Sequence, residues 1–279
     1  MKRILIISAV FIIVTLCGLG AFILNLQDYA EQPAGLEPNH IVIDIPAGQP
    51  FKKTAQTLFK RNLIKSLFKF NLLARLKGYD KRLKAGEYAL SAAMTPIQIM
   101  EKLVKGQVEL YKLTVPEGLN IYQIADLVAQ AGFAENSAFI AAATNADLAR
   151  KNSIPAETFE GYLFPETYYF PKKVRVETII STMVKRFRTV FNTAWKERAN
   201  QLGFSIHQIV TLASIIEKET GTPFDRPIIS SVFHTRLKRK MRLESEPTVI
   251  YGLKNFDGNL KRAHLETPTP YNTYKIKGL

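Results

Sequence analysis

The pattern of apolar and polar positions begins with an uncharged stretch from Ile4 to Gln27 that is dominated by Ile, Leu, Val, Phe and Ala. At about 1.5 Å per residue, roughly 20 such residues form a helix that spans the hydrocarbon core of a bilayer. A cleaved signal peptide has a shorter apolar run that ends in a small-x-small site. This run ends in Leu24-Asn-Leu-Gln27 instead. The pattern therefore favours an uncleaved membrane anchor over a signal peptide.

The charges on either side of this stretch indicate its orientation. Lys2 and Arg3 precede it, whereas Asp28 and Glu31 follow it. Basic flanks stay on the cytoplasmic side. We therefore expect residues 1–27 to form a cytoplasmic tip and a single-pass helix in the inner (plasma) membrane, with the remaining chain periplasmic or otherwise extracytoplasmic.

Residues 28–40 contain Pro and Gly and are predicted to be a linker. The next segment, residues 41–110, shows the spacing of a strand, two helices and a returning strand, followed by a further helix that starts near Pro96. This order is the plan of LysM-like glycan-binding modules. A packing or spacer module without a ligand is an equally good interpretation, because no residue here marks a sugar contact.

A similar strand, Pro-x-Gly turn and helix recur in a repeat-like segment over 113–143. Residues 111–279 are predicted to form the catalytic domain. The predicted fold class is α+β: an N-terminal transmembrane helix, a small LysM-like α+β module, then a mixed α/β catalytic domain. Within that domain, the spacing from Val176 to Leu202 predicts one long core helix that includes Trp195.

Composition narrows the function classes. The chain is 47% hydrophobic and 22% charged, which is typical of a globular protein, and its net charge is +14. A basic surface suits polyanions or anionic lipid headgroups, but on the outer side of a membrane nucleic acid is not an expected partner. The single cysteine, Cys17, and four scattered histidines predict neither a metal site nor a cofactor.

The segment from Ser205 to Glu219 predicts a helix with a carboxylate in an unusual position. At about 100° per residue from Ile206, the apolar side runs from roughly 240° to 40°, and Glu217 falls inside it at about 20°. Burial raises the pKa of a glutamate toward the range that a general acid needs. Glu217 is therefore a candidate acid/base residue. The alternative is a carboxylate at a helix end that pairs with an arginine from elsewhere.

Four ordered motifs then resemble the endolytic murein transglycosylase (YceG-like) family. They are Glu160-Gly-Tyr-Leu-Phe-Pro-Glu-Thr-Tyr168, Leu212-Ala-Ser-Ile-Ile-Glu-Lys-Glu219, Glu246-Pro-Thr-Val-Ile-Tyr-Gly252 and Thr269-Pro-Tyr-Asn-Thr-Tyr274. The resemblance implies cleavage of the β-1,4 bond between N-acetylmuramic acid and N-acetylglucosamine within nascent peptidoglycan strands. The products carry 1,6-anhydro ends, and the cleavage terminates strand elongation beside the glycan-polymerising synthases. It also implies that Glu217 is the catalytic residue.

The same motifs supply the candidate substrate-binding residues, which are aromatic, carboxylate or small polar side chains: Glu160, Tyr162, Glu166, Tyr168, Glu219, Glu246, Thr248, Tyr251, Asn272 and Thr273. For each aromatic residue, packing in the core is an alternative to contact with a sugar.

The sequence departs from the family pattern in two places. Glu244-Ser-Glu246 replaces a usual Gln-Thr-Asp, and family members usually continue beyond Leu279, so the catalytic domain is expected to be incomplete at its C-terminus. The alternative function is a non-catalytic, membrane-anchored protein that binds peptidoglycan or acts as a scaffold.

Overall fold

The computed structural model describes residues 2–253 and 256–279 and shows a mixed α+β chain with a long apolar helix at its N-terminus. The chain divides into two compact units. The N-terminal unit comprises Met1–Tyr111 with Tyr169–Lys173, and the C-terminal unit comprises Lys112–Tyr168 with Val174–Leu279.

The N-terminal unit contains the long helix, two strands and three shorter helices: α1 (Lys2–Glu31), β1 (His40–Ile45), α2 (Phe51–Lys60), α3 (Leu67–Leu76), β2 (Gly86–Ser91) and α4 (Pro96–Lys105). Strands β1 and β2 pair antiparallel, with Ile43 opposite Tyr88. Side chains on one face of this pair are buried with those of α2, α3 and α4 in a single core. The predicted order of strand, helix, helix and strand is therefore present.

Helix α1 continues through 28–31, four residues that the sequence placed in a linker. The extension has a physical reason, because the last turns of α1 pack against α3 and α4. Leu26, Tyr29 and Ala30 are each no more than 7% exposed and belong to the core of the N-terminal unit. The Tyr29 hydroxyl also donates a hydrogen bond of 3.0 Å to the carbonyl oxygen of Ser66. The end of α1 is thus part of the folded unit.

The remaining elements are mostly helical: β3 (Tyr111–Thr114), α5 (Ile121–Gln130), α6 (Asn136–Ala143), α7 (Ala146–Lys151), β4 (Thr167–Phe170), α8 (Val176–Val190), α9 (Thr193–Gln201), α10 (Ile206–Glu219), α11 (Arg226–Lys238), α12 (Glu246–Gly252) and α13 (Arg262–Glu266). Strands β3 and β4 form a second two-stranded sheet, and the chain passes from one unit to the other within them. In the described residues of the C-terminal unit, helices and the loops between them therefore position the side chains discussed below.

The single helix predicted from Val176 to Leu202 is wrong, because α8 and α9 are separate helices. The break lies at Asn192, whose side chain accepts a hydrogen bond from the Trp195 backbone N–H and caps α9. Asparagine is a favoured N-cap and starts a new helix where the first one ends. Trp195 was predicted to lie in the core, but it is 59% exposed.

Substitution of Gly86 by alanine is expected to destabilise the N-terminal unit. Gly86 has φ +143, and an added Cβ would overlap Cγ1 of Val108. Backbone strain and overpacking together predict that the free energy of unfolding falls by about 3 kcal/mol. The measurement is the midpoint of denaturant unfolding, which should be lower than in the parent. Gly48→Ala is the matched control, since Gly48 has φ +76 but nothing within 4 Å of the added Cβ. The free energy of unfolding of this variant should fall by only about 1 kcal/mol. Equal losses for the two variants would contradict the overlap at Gly86.

Candidate active site

Helix α10 carries the candidate catalytic carboxylate and begins and ends where the sequence predicts. Ser205 and Gln208 form a capping box at its start, which satisfies two backbone N–H groups. Leu212 and Ile215 are its buried residues and pack with Phe233 of α11. This contact fixes how α10 is rotated against its neighbour.

The predicted burial of Glu217 among aliphatic side chains is wrong. The core side of α10 is centred on Leu212 and Ile215, whereas Ala213, which the helical wheel placed beside Glu217, is exposed. The side chain of Glu217 is 31% exposed. It therefore lies at the margin of the packed face, where it is accessible from solvent.

Glu217 forms an ion pair with Arg226, at the first position of α11. Nη2 of Arg226 lies 3.0 Å from Oε1 and 3.0 Å from Oε2 of the carboxylate. The same nitrogen is 3.8 Å from Oε2 of Glu117. One guanidinium group thus lies between two carboxylates, and it holds the Glu217 carboxylate in a defined orientation.

The turn that contains Glu117 also approaches Glu217 through its backbone. Gly118 has φ +75, and a Cβ added there would lie 3.9 Å from Cγ of Glu217 and 3.8 Å from Nζ of Lys218. Glycine adopts this left-handed conformation without strain. The Pro-x-Gly turn of the second repeat-like segment therefore lies against the end of α10.

A second carboxylate, Glu160, is hydrogen-bonded near the same turn. Its Oε2 accepts from the backbone N–H of Ile121 at 3.3 Å and from the hydroxyl of Tyr251 at 3.0 Å. Burial raises the pKa of the Glu160 carboxyl, and the bonds from Ile121 and Tyr251 offset this in part. Since Ile121 is three positions after Gly118, their Cα atoms are at most about 11 Å apart. The turn thus connects the surroundings of Glu217 and Glu160.

Exposed tyrosine rings lie beside Glu160. Tyr251 is 39% and Tyr271 is 51% exposed. Their rings meet edge to face, with centroids 4.9 Å apart and planes at 85°. Tyr122, which follows Ile121, is also exposed and raises the pKa of Tyr251 slightly, although burial and Glu160 contribute more. Aromatic faces beside a carboxylate suit the C–H and hydroxyl groups of a sugar.

Two predicted tyrosines do not line this surface. Tyr162 is fully buried, its hydroxyl lies 3.0 Å from Nδ1 of His207, and its ring packs edge to face with Phe187. Tyr168 is 7% exposed, and its hydroxyl donates to the carbonyl oxygen of Phe164 at 2.6 Å. Both tyrosines therefore pack in the core, as the alternative interpretation of the sequence had it, and are not placed to contact a sugar.

The polar residues of the last motifs form an internal hydrogen-bond network. Asn272 is fully buried and donates to the carbonyl oxygens of Leu265 and Thr267. Thr273 is 5% exposed, and its hydroxyl lies 2.8 Å from that of Thr248. The expectation that these loop side chains contact substrate is therefore wrong for Asn272 and Thr273. They fix the loop that carries Tyr271.

The three remaining carboxylates have other surroundings. Glu219 accepts a hydrogen bond from the hydroxyl of Ser245, which ties the end of α10 to the start of α12. Glu166 forms an ion pair with Arg186. Glu246 is exposed at the first position of α12. Of the predicted carboxylates, Glu160 and Glu217 are the two that contact the turn at 117–121.

Sequence reasoning missed three residues at this site: Arg226, which pairs with Glu217, Glu117, which lies 3.8 Å from Arg226, and Tyr271, whose ring contacts that of Tyr251. Glu117 lies in the recognised Pro-x-Gly turn and Tyr271 in the last motif, so those motifs carried a signal. Nothing in the sequence pattern distinguishes Arg226 from the other arginines. These residues define a site with an accessible carboxylate at the end of α10, paired with Arg226, and a second carboxylate beside an aromatic surface.

Comparisons with known proteins agree with the motifs. The profile of the YceG-like family matches residues 43–279. An endolytic murein transglycosylase of Bacillus subtilis is 34% identical over an alignment of 256 residues, and the match covers 85% of this chain and 70% of that protein. An endolytic murein transglycosylase of Streptococcus pneumoniae is 30% identical over an alignment of 275 residues, and the match covers 86% of this chain but 49% of that protein.

The fold is also similar to a solved structure. The crystal structure of a YceG-like protein from Listeria monocytogenes matches with a TM-score of 0.57 and 31% identity, and the match covers 87% of this chain and 85% of that one. The chain belongs to the YceG-like family. The resemblance inferred from the motifs is thus confirmed.

Replacement of Glu160 by glutamine is expected to change how stability depends on pH. Because the pKa of Glu160 is raised in the folded state, the folded chain binds more protons than the unfolded chain above the ordinary value of about 4.3. The parent should therefore lose stability as pH rises from there through the raised pKa. Glu160→Gln should lose less stability over the same pH interval. The measurement is the melting temperature as a function of pH. Glu197→Gln, an exposed carboxylate of α9, is the control, and parallel curves for parent and Glu160→Gln would contradict the assignment.

Proposed function

We propose that this chain is a peptidoglycan lytic transglycosylase. It cleaves the β-1,4 bond between N-acetylmuramic acid and N-acetylglucosamine within nascent strands, leaves 1,6-anhydro ends and so terminates strand elongation. The names of its relatives support the reaction class. The observation that carries the residue assignment is the accessible carboxylate of Glu217, which is held by Arg226 and lies against the same turn as Glu160. No cofactor takes part in the proposed reaction.

One carboxyl group suffices for this reaction because the substrate supplies the nucleophile. Glu217 donates its proton to the glycosidic oxygen as the bond from C1 to that oxygen breaks. The 6-hydroxyl of the muramic acid then attacks C1, and its proton passes to the Glu217 carboxylate. One C–O bond breaks and one forms, so water is not consumed. A nucleophile within the same sugar has a high effective concentration.

Arg226 must release Glu217 before this reaction starts. A carboxyl that protonates a glycosidic oxygen has to approach it, and both oxygens of Glu217 lie 3.0 Å from Nη2 of Arg226. Glu117, at 3.8 Å from the same nitrogen, is a ready alternative partner. We infer that an entering glycan displaces Arg226 from Glu217 toward Glu117, so that the Glu217 carboxyl is free to reach the glycosidic oxygen only with substrate in place.

Glu160, Tyr251 and Tyr271 are the proposed substrate-binding residues. The exposed rings of the two tyrosines offer stacking faces, and Glu160 supplies a carboxylate that accepts hydroxyl hydrogen bonds or stabilises positive charge at C1. Its hydrogen bonds to Ile121 and Tyr251 fix its position. Glu246 and Thr248 lie on α12, which also carries Tyr251, and remain secondary candidates.

The N-terminal unit is proposed to anchor the enzyme at its place of work. Helix α1 is long and apolar enough to cross a bilayer, and its end is built into the core of the unit. Cleavage after the apolar stretch would remove Leu26 from that core and leave Tyr29 and Ala30 without the helix that positions them, which favours an uncleaved anchor in the inner (plasma) membrane with an extracytoplasmic bulk. The strand–helix–helix–strand order supports a LysM-like module. A location beside glycan-polymerising synthases follows from the action on nascent strands.

Glu217→Gln is expected to abolish product formation while leaving glycan binding intact. Glutamine keeps the shape of the side chain but cannot donate the proton, and general acid/base groups contribute roughly 10²- to 10⁴-fold in rate. Release of anhydro-muropeptides from purified sacculi, measured by mass spectrometry, should fall by at least about 100-fold. Sedimentation with sacculi should not change.

The matched control for that variant is Glu197→Gln, an exposed carboxylate on another helix of the same unit. It should release anhydro-muropeptides at the parental rate. Equal product from Glu217→Gln and the parent would refute the catalytic role. A chain that sediments with sacculi but releases no product in any form would instead be a binding or scaffold protein.

Tyr271→Ala is expected to weaken substrate binding without removing the chemistry. Loss of one aromatic contact of about 0.5–1.5 kcal/mol predicts a KM for soluble glycan strands that is roughly 2- to 10-fold higher, with kcat little changed. Tyr271→Phe should behave like the parent, because it keeps the ring. Tyr169→Ala, which removes an exposed tyrosine of the N-terminal unit, is the control. An unchanged KM for Tyr271→Ala would exclude the ring from the binding surface.

A further inference from the structure

The positive charge of the chain is concentrated in a part of the N-terminal unit that the proposed reaction does not use. Between Asp44 and Asp80 the sequence has eight lysine and arginine residues and no carboxylate. This segment contains α2 and α3. A run of basic residues without acidic neighbours is attracted to anionic lipid headgroups.

The geometry of α1 places this segment close to a bilayer. Residues from Ile4 to Ile23 account for about 30 Å of helix, the thickness of the hydrocarbon core. On this alignment Leu26 and Tyr29 lie roughly 4–9 Å beyond the hydrocarbon edge, and the headgroup layer is about 5–8 Å thick. Both residues are buried in the core of the N-terminal unit. The side chains around them must therefore lie at the level of the headgroups.

The loop between α2 and α3 and the start of α3 lie at this end of α1. The carbonyl oxygen of Ser66 accepts the hydrogen bond from Tyr29, and Nζ of Lys69 lies 5.6 Å from the centroid of the Tyr29 ring. Leu63 and Ile64, in the loop before Ser66, are buried and fix it to the core. The loop is thus held rigidly beside the end of the membrane-spanning helix.

Five side chains here form what we call the headgroup patch: Lys60, Arg61, Lys65, Phe68 and Lys69. The first three are exposed and Lys69 is half-buried, while the apolar ring of Phe68 is 67% exposed. Within the described residues, none of the four cations forms an ion pair. Cations without ion pairs, close in sequence to an exposed aromatic ring, are typical of protein surfaces that contact a membrane interface.

We propose that the headgroup patch binds the anionic surface of the same bilayer that α1 crosses, an inference that rests on the membrane anchor proposed above. The cations contact lipid phosphates and Phe68 inserts at the boundary between headgroups and acyl chains. This contact adds a second attachment to the helix and fixes the orientation of the N-terminal unit on the membrane. An anionic polymer of the cell wall would account for the charge, but not for an exposed phenylalanine at headgroup depth.

The test uses the full chain in lipid nanodiscs, with Phe68→Trp introduced in a Trp195→Phe background so that the new indole is the only one. The fluorescence of this tryptophan is measured with a nitroxide attached to the lipid headgroup. We expect strong quenching and a blue-shifted emission in nanodiscs that contain phosphatidylglycerol, and weaker quenching in phosphatidylcholine alone. Replacing Lys60, Arg61 and Lys65 by glutamine should reduce the quenching by roughly half or more.

Lys238, Arg239 and Lys240, an exposed basic run of the C-terminal unit, provide the matched triple replacement, which should leave the quenching unchanged. Quenching of the Phe68→Trp indole by a water-soluble nitroxide but not by the lipid-bound one would overturn the proposal. So would a patch variant that loses sedimentation with sacculi yet keeps full lipid quenching, because the partner would then be a wall polymer. Release of the chain from membranes at alkaline pH would instead refute the anchor itself.

Discussion

The ion pair between Glu217 and Arg226 is the interaction on which the proposed chemistry of the C-terminal unit depends. It joins α10 to α11, and it orients a carboxylate that the packing of Leu212 and Ile215 leaves at the edge of the core. A carboxylate so held is accessible from solvent, but both of its oxygens are engaged by the arginine. In the proposed exchange, the second carboxylate near that guanidinium, Glu117, keeps the arginine paired.

The proposed site divides into residues that would meet the substrate and residues that hold the structure in place. The buried side chains of Asn272 and Thr273 fix the loop that carries Tyr271, and Tyr162 packs against Phe187 and His207. Motif residues of both kinds are polar or aromatic, so their chemical type does not reveal which role each has. Burial in the folded chain separates them, because a side chain that saturates its hydrogen bonds internally has none to offer a sugar.

The sequence correctly predicted the features that depend on local interactions, such as the start of a helix or the position of a strand. The capping box at Ser205 set the start of α10, and the alternation around Ile43 set a strand. The partner of Glu217 was not predictable, because Arg226 reaches it only through the way that α10 packs on α11. Similarly, apolar residues recur at helical spacing through both α8 and α9, and this pattern gave no indication that Asn192 caps a separate helix. The fold class and the catalytic candidate followed from pattern and resemblance, whereas rotation of a helix and exposure of a ring are tertiary properties.

The incorporation of the end of α1 into the N-terminal core has a consequence for biogenesis. Until Leu26, Tyr29 and Ala30 pack beside α3 and α4, that core is incomplete and its apolar side chains are exposed to water. For the proposed membrane anchor, completion of the unit therefore awaits release of the apolar segment into the bilayer. Membrane insertion and the last step of folding are coupled in that case, and a chain that failed to insert would keep an incomplete core.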